Sequence, residues 1–176
     1  SLLWKVSGKN MPKPSYLFGT IHMIPKNDYF FSPVMQKAFN SCQVLVIEAD
    51  MFNMSFNQKI DLANKVLLPN NKTLLHYIDT TLYSQFVKIL TDSLGISKRT
   101  IEKKYNRVKP VFLSALILQE YIGKTKTYEH ELYKMSKKNK MTLMALETVD
   151  FQIELTNSID IETQITDLTN MDDYRG

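Results

Sequence analysis

The chain has 176 residues, 44% of them hydrophobic, so it is long enough to bury a sizeable core and is predicted to be globular. Its 22 Lys and Arg residues against 18 Asp and Glu residues give a net charge of +4, and these charges are scattered along the sequence. This pattern argues against nucleic-acid binding, because such proteins typically carry a clustered basic face with interleaved aromatic residues.

A β-hairpin followed by a helix is predicted at the start of the chain. The ranges Leu2 to Ser7 and Tyr16 to Ile21 have the composition of short strands, and a turn rich in Gly, Asn and Pro joins them. Ser32 then provides an N-cap before Pro33, and the apolar residues that follow recur at helical spacing as far as Cys42. This spacing predicts a helix of about ten residues and places the single cysteine in it as a small buried thiol.

A strand and two packing helices are predicted next. The continuous apolar run from Val44 to Ile47 is typical of a strand covered on both faces, and it stops at Glu48. Beyond it, apolar residues at helical spacing predict two amphipathic helices, the second of which ends near Gly95. The two apolar stripes comprise Phe56, Ile60, Ala63 and Leu67 and, further along, Leu82, Phe86, Ile89 and Leu90.

The last third of the chain is predicted to add two helices and a strand. One helix runs from Lys109-Pro110 to Gly123, Thr127 is placed to cap the next helix, and Met141 to Ala145 has the composition of another buried strand. The inward face of the first of these helices is predicted to carry Leu113, Leu116, Ile117 and Tyr121. This alternation of strands and helices favours an α/β architecture over a bundle or a sandwich.

Three predicted strands lead into side chains that can bind metal or transfer protons: His22, Glu48 and Glu147. In open α/β sheets the carboxyl ends of the strands surround a ligand crevice, so these three groups could converge there. An imidazole beside carboxylates suits zinc, manganese or cobalt, and a metal bound there lowers the pKa of water enough for hydrolysis near neutrality. Each residue alone is more often structural, as a hydrogen-bonding partner or a helix cap, whereas a shared site explains the three jointly about as well.

Two further features concern histidine. The segment from Gly19 to His22 reads Gly-Thr-Ile-His, which fits a close backbone approach to a ligand at Gly19 with the Thr20 hydroxyl nearby. His130 and Glu131 begin like the helix motif of zinc proteases, but Lys134 stands where the second histidine is required. His130 and its flanking glutamates are therefore interpreted as a solvated helix face, and His76 is interpreted as a structural or surface residue.

Several stretches, in their order and spacing, resemble the TraB/GumN family, whose animal members are the TIKI proteins. The segments Leu3 to Gly8 and Pro14 to His22 resemble the family's entry strand pair and its first GxxH motif. Val46 to Asp50 resembles the second strand with its acidic end, and Tyr128 to Lys140 with Ala145 to Thr148 resembles the later helix and strand with the Leu-Glu-Thr motif. The likeness spans nearly the whole chain.

The resemblance implies a mixed β-sheet flanked by helices, as in the wider group that includes erythromycin esterase and ChaN-like proteins. It also implies a divalent-metal-dependent peptidase that uses Mn, Co or Zn, because TIKI proteins are described as metallopeptidases. His22 carries over as a metal ligand, Glu48 as a ligand or general base, and Glu147 as a third catalytic member. Gly19 would shape the loop before the histidine.

The family pattern continues past the end of this chain into a segment with a second GxxH, and that motif is absent here. Residues 1–176 are therefore expected to be the N-terminal part of a single domain, incomplete at its C-terminal end. A missing ligand weakens metal binding, so reduced or absent activity is expected for the chain alone. No apolar run has the length of a membrane span, and the start at Ser1 leaves room for a removed export signal or lipid anchor.

The leading hypothesis is a metallopeptidase that acts on peptides or protein termini in the periplasm, at the outer membrane or after secretion. The alternative is a binding protein on the same scaffold, which carries haem or another ligand or sequesters a signalling peptide without cleaving it. A third hypothesis is an α/β fragment that has no activity of its own.

Overall fold

The computed structural model describes residues 2–93 and 95–169. Strands and helices alternate in this part of the chain, which confirms the predicted α/β class. Two compact units are present: the first holds the residues up to 50 together with 123–147, and the second holds 51–122 and the residues from 148 onward. The described strands form three two-stranded sheets, in place of the one mixed sheet that the resemblance implies.

The elements are numbered in chain order. The strands are β1 (Leu3–Val6), β2 (Ser15–Phe18), β3 (Ile24–Pro25), β4 (Val44–Ala49), β5 (Thr125–Lys126) and β6 (Thr142–Glu147). The α-helices are α1 (Pro33–Asn40), α2 (Phe56–Lys65), α3 (Thr80–Lys88), α4 (Lys98–Thr100), α5 (Pro110–Ile122), α6 (Tyr128–Lys138), α7 (Val149–Asn157) and α8 (Ile161–Thr169). Short 3₁₀ turns occupy Pro69–Asn71 and Leu74–His76, and π-helical turns at Ile89–Ser93 and Ile101–Tyr105 extend α3 and α4. None of the described helices combines the length and the apolar character needed to cross a membrane.

The predicted hairpin of the first unit is present, with a shorter second strand. β1 and β2 pair antiparallel over their whole length. The sequence predicts strand structure as far as Ile21, whereas β2 ends at Phe18. The backbone N–H of Gly19 still donates to the carbonyl of Leu2 at 2.8 Å, and the chain then leaves the sheet. The residues that follow form the loop that carries His22.

Helix α1 confirms the predicted N-cap. The Ser32 side chain accepts a hydrogen bond from the backbone N–H of Met35 at 3.3 Å, and Pro33 is the first helical residue. The helix ends at Asn40, so Cys42 lies beyond it and is half-buried. The prediction of a buried thiol inside the helix is wrong, because the apolar spacing continues past the residue where the helix ends.

The other strands of the first unit form two more pairs. β3 pairs antiparallel with β5, and β4 pairs parallel with β6. Helix α6 packs against both β4 and β6. Ile47 is buried, but Val46 is 49% exposed and Met144 is 55% exposed. The prediction that these strands are buried on both faces is therefore wrong. In β4 burial is confined to alternate positions, as in a strand covered on one side, and in β6 only Leu143 is partly buried.

The second unit is built around a hydrophobic core supplied by its helices and by Leu68 and Val108, which lie between helices. The predicted stripe of α3 and its π-helical extension is confirmed, because Phe86 and Leu90 are only 7% and 0% exposed. Leu113 of α5 is also fully buried, as predicted, and α5 packs against α8. The core comprises Leu68, Leu74, Phe86, Leu90, Ile101, Tyr105, Val108, Leu113 and Leu168.

Some residues predicted to face inward in this unit are exposed. Phe56 and Ile60 of α2 are 77% and 46% exposed, and no residue of α2 is buried. Tyr121, near the end of α5, is 66% exposed. Helical spacing identifies an apolar stripe but does not show whether another element covers it. In α5 apolar residues occur on all sides, so the spacing does not define one inward face.

The glycine that ends α5 gives a first testable prediction. Gly123 has φ +78°, a left-handed conformation, and a Cβ added there would have no heavy atom within 4 Å. Gly123→Ala is therefore expected to cost about 1–2 kcal/mol of stability through backbone strain alone. The loss in the free energy of unfolding is measured by urea unfolding that is monitored by circular dichroism. Gly19→Ala is the control, because Gly19 lacks a positive φ and its added Cβ would make only ordinary contacts with Leu2. Equal losses in the two variants would contradict this explanation.

Candidate active site

Two of the predicted site residues, His22 and Glu48, lie together in the first unit. His22 is in the loop after β2, and its Nε2 lies 4.0 Å from Oε2 of Glu48. Their side chains are 79% and 54% exposed, so a molecule in solution can reach both. Glu48 is the fifth residue of β4, inside the strand rather than after its end as the sequence predicted. The structure thus brings this imidazole and this carboxylate to the same exposed position.

A third residue of this site, Glu129, was interpreted from the sequence as part of a solvated helix face, and that interpretation is wrong. Oε1 of Glu129 lies 3.5 Å from Nδ1 of His22, and the Glu129 side chain is only 23% exposed. The same Oε1 accepts a hydrogen bond of 2.5 Å from the Thr20 hydroxyl. The neighbouring His130 is exposed, as predicted. His22 is therefore flanked by a carboxylate on each side of its ring.

The position of Glu129 is fixed by the start of helix α6. Thr127 caps the helix, as the sequence predicted, by accepting a hydrogen bond from the backbone N–H of His130 at 3.1 Å. Tyr128, the first helical residue, is 1% exposed, and its hydroxyl donates to the carbonyl of Phe30 at 3.1 Å. A carboxylate in the first turn of a helix is also favoured by the helix dipole. Glu129 therefore projects from a well-anchored turn.

Aromatic packing connects this turn to the loop that carries His22. The Tyr128 ring packs edge-on against Phe18, the last residue of β2, with ring centres 5.2 Å apart. It also packs against Tyr29 in a tilted arrangement with ring centres 4.9 Å apart. The ammonium group of Lys126 lies 4.5 Å from the centre of the Tyr29 ring. Burial, together with the nearby charge of Glu131, raises the pKa of Tyr29. Because Phe18 immediately precedes the His22 loop, this cluster holds the loop and the start of α6 together.

The two acidic residues in the first turn of α6 have different partners. Glu131 forms ion pairs with Lys134 at 2.5 Å and with Lys126 at 3.9 Å. The hydrogen bond from Lys134 is the main reason that the pKa of Glu131 lies below its usual range. Glu129 instead faces His22 and Thr20. Of the two, Glu129 is the carboxylate that belongs to the candidate site.

Glu147, the third predicted site residue, lies on the other face of the β4–β6 sheet. It is the last residue of β6 and is paired in register with Ala49. Paired residues of neighbouring strands share a face and successive residues alternate, so Glu147 and Glu48 point to opposite faces. This register does not bring Glu147 to the His22–Glu48 pair, and its catalytic role stays a prediction.

Gly19 was expected to allow a close backbone approach. Nothing in its described surroundings requires glycine, because its φ is not positive and an added Cβ would meet Leu2 atoms only at 3.9 Å. His76 fits its predicted structural role, since its Nδ1 accepts a hydrogen bond from the backbone N–H of Thr73 at 3.1 Å. Neither residue contributes a group to the site described above.

The donor types of this site fit a divalent metal, but the described residues do not complete a metal sphere. Nε2 of His22 and an oxygen of Glu48 form a mixed N/O pair of the kind that zinc and manganese accept. Catalytic zinc sites usually have three protein ligands. In the part of the chain that the structure describes, no group of three or more His, Cys, Asp and Glu side chains is arranged to hold a metal ion. Oε2 of Glu129 is buried without a hydrogen-bond partner in that same part.

Comparison with known proteins gives a family and no closer relative. The model of the TraB/PrgY/gumN family matches residues 2–175, which is nearly the whole chain. No curated protein and no solved structure matches the chain significantly.

Proposed function

Because the chain belongs to the TraB/PrgY/gumN family, we propose that it is a metal-dependent hydrolase that cleaves peptides, with His22 and Glu48 at its active site. The observation that supports this proposal most directly is the exposed pair of side chains whose nitrogen and oxygen lie 4.0 Å apart. A nitrogen donor beside a carboxylate that solvent and substrate can reach supplies two of the groups that metal-assisted hydrolysis needs.

In this proposal His22 Nε2 and Glu48 hold a divalent ion, which is Mn, Co or Zn. When bound, such an ion lowers the pKa of a coordinated water and polarises a peptide carbonyl. Glu48, which is 54% exposed on its side chain, can alternatively accept the proton that the attacking water loses. Glu147 stays a candidate third member, although it points to the other face of the sheet.

The substrates proposed are extracytoplasmic peptides or protein termini. A flexible chain end can approach a surface pair such as His22 and Glu48, since neither side chain is enclosed. The proposed location is the periplasm, the outer membrane or the extracellular medium, with anchoring through a segment outside this sequence. These parts of the proposal rest on the resemblance to the TIKI proteins.

Metal dependence provides the direct test. The full chain is treated with EDTA, desalted and incubated with a mixture of short peptides, and the products are identified by mass spectrometry. We expect no cleavage until Mn²⁺, Co²⁺ or Zn²⁺ is added back, because the ion activates the water. Cleavage that persists in EDTA, or none with any of the three ions, would overturn the proposed activity for this chain.

The alternative is a binding protein that uses the same scaffold without catalysis. It requires only that a ligand contact the exposed side chains of His22 and Glu48. Haem binding would give a visible absorption band on titration with haemin, and peptide sequestration would give binding without new products. Either result in the absence of metal-dependent cleavage would select this alternative.

A further inference from the structure

We infer that Glu129 is a positioning residue that holds the His22 ring as its Nδ1–H tautomer, with Nε2 unprotonated and facing Glu48. This inference deepens the proposed function. Only its prediction about metal affinity rests on that function, because the tautomer of His22 can be measured in the metal-free chain. It gives a role to Glu129, which the sequence pattern did not distinguish from the solvent-exposed residues of α6.

The first argument is that the two ring nitrogens face two different carboxylates. Nδ1 lies 3.5 Å from Glu129, and Nε2 lies 4.0 Å from Glu48. A neutral imidazole carries a proton on only one nitrogen, so it can donate to only one of the two. The nearer carboxylate is that of Glu129, so a proton on Nδ1 has the stronger electrostatic attraction.

The second argument is the difference in solvent exposure between the carboxylates. The Glu129 side chain is 23% exposed and that of Glu48 is 54% exposed. Water competes less at the more buried group, so a hydrogen bond to it is electrostatically stronger. Oε2 of Glu129 is buried without a hydrogen-bond partner in the described part of the chain, so the polar contacts of this carboxylate are made through Oε1, which faces both Thr20 and His22.

The third argument is that Glu129 is itself held in place. The Thr20 hydroxyl donates to Oε1, the same atom that faces Nδ1 of His22. The backbone next to Glu129 is anchored by Tyr128, which is 1% exposed. Metal-binding histidines usually donate their second ring N–H to a carboxylate, which fixes the tautomer and the ring orientation. Glu129 occupies that place, and Nε2 is then available to a metal beside Glu48.

The test is the tautomer of His22 in the metal-free full chain, measured by long-range ¹H–¹⁵N correlation spectra at about pH 8, above the ordinary histidine pKa. The sequence has three histidines, and the His22 signal is assigned with His22→Ala. We expect His22 as Nδ1–H. His76 is an internal reference of opposite tautomer, because its Nδ1 accepts the Thr73 N–H and its proton must be on Nε2.

Variants separate the role of Glu129 from a general effect on the fold. Glu129→Ala should shift His22 toward the Nε2–H form, and Thr20→Val, which removes the clamping hydroxyl, should shift it less. Glu131→Gln is the matched control on the same helical turn and should leave His22 unchanged, since Glu131 pairs with lysines. If Glu129→Ala does not fold, Glu129→Gln and Thr20→Val provide the measurement.

The inference also predicts that Glu129→Ala lowers the affinity for added Zn²⁺ by about 10–100-fold, as for other groups that orient metal-binding histidines. Calorimetry with Zn²⁺ alone measures it. The inference would be overturned if His22 were Nε2–H in the unmodified chain, or if its tautomer were the same in Glu129→Ala. A chain with the expected tautomer but no metal binding would refute the proposed function and leave the role of Glu129 intact.

Discussion

His22→Ala and Glu48→Ala are each expected to lower kcat/KM for metal-dependent peptide hydrolysis by at least about 100-fold. The basis is that a positioned general acid or base contributes about 100–10,000-fold, and that even groups which only orient metal ligands contribute about 10–100-fold. Both side chains are largely exposed, so their removal should leave the fold intact. The measurement is the rate of peptide cleavage with the activating metal in excess.

The matched controls for this prediction are the other two histidines. His130 is exposed on α6, and His76 is exposed in a 3₁₀ turn of the second unit. His130→Ala and His76→Ala should retain nearly full activity. The assignment of the site would be refuted if His22→Ala cleaved peptides as fast as His130→Ala, with thermal unfolding unchanged in both variants.

Tyr128→Ala should have the largest effect on stability among the variants considered, with a loss of about 3–5 kcal/mol, as for other large aromatic residues in a core. Tyr128 is 1% exposed and packs against both Phe18 and Tyr29, so its removal leaves a cavity between β2 and the start of α6. Tyr128→Phe keeps the ring and loses only the hydrogen bond to the Phe30 carbonyl, at a cost of about 1 kcal/mol.

These losses are measured by urea unfolding that is monitored by circular dichroism. Tyr121→Ala is the control, because Tyr121 is 66% exposed, and its effect should stay within about 0.5 kcal/mol. A Tyr128→Ala loss as small as that of Tyr121→Ala would show that the aromatic cluster does not anchor α6. If the cluster does position Glu129, Tyr128→Ala should also weaken binding of Zn²⁺ under conditions where the variant is still folded.

Local signals in the sequence predicted where several helices begin and end, because these boundaries depend on neighbouring residues. The Ser32-Pro33 pair marked the start of α1, and Thr127 marked the start of α6, because a capping side chain bonds to a backbone N–H three residues later. Gly123 marked the end of α5, because its left-handed φ suits glycine. Each signal lies within a few residues of the feature that it predicts.

The candidate site was predictable only in part. The rule that ligands gather at the carboxyl ends of strands suggested that His22 and Glu48 would meet. Glu129 was missed because its contact with Thr20 joins residues 109 positions apart and depends on how Tyr128 packs. The orientation of Glu147 depends on the register between β4 and β6, which a single apolar run does not reveal.

Burial was the property that the sequence predicted least well. Val46 and Met144 belong to apolar runs that are typical of strands covered on both faces, yet both are exposed. Phe56 likewise belongs to a regular apolar stripe and is 77% exposed. An apolar pattern shows which surface can be buried, whereas burial also requires another element to cover that surface.

The central claim is that His22 and Glu48 bind the same metal ion. The most direct measurement is a titration of the full chain with substoichiometric Mn²⁺, followed through the imidazole proton signals of the three histidines. The paramagnetic ion should broaden the His22 signal first, and Glu48→Ala should abolish that selectivity. Equal broadening of all three signals, or broadening of His22 that is unaffected by Glu48→Ala, would contradict the claim.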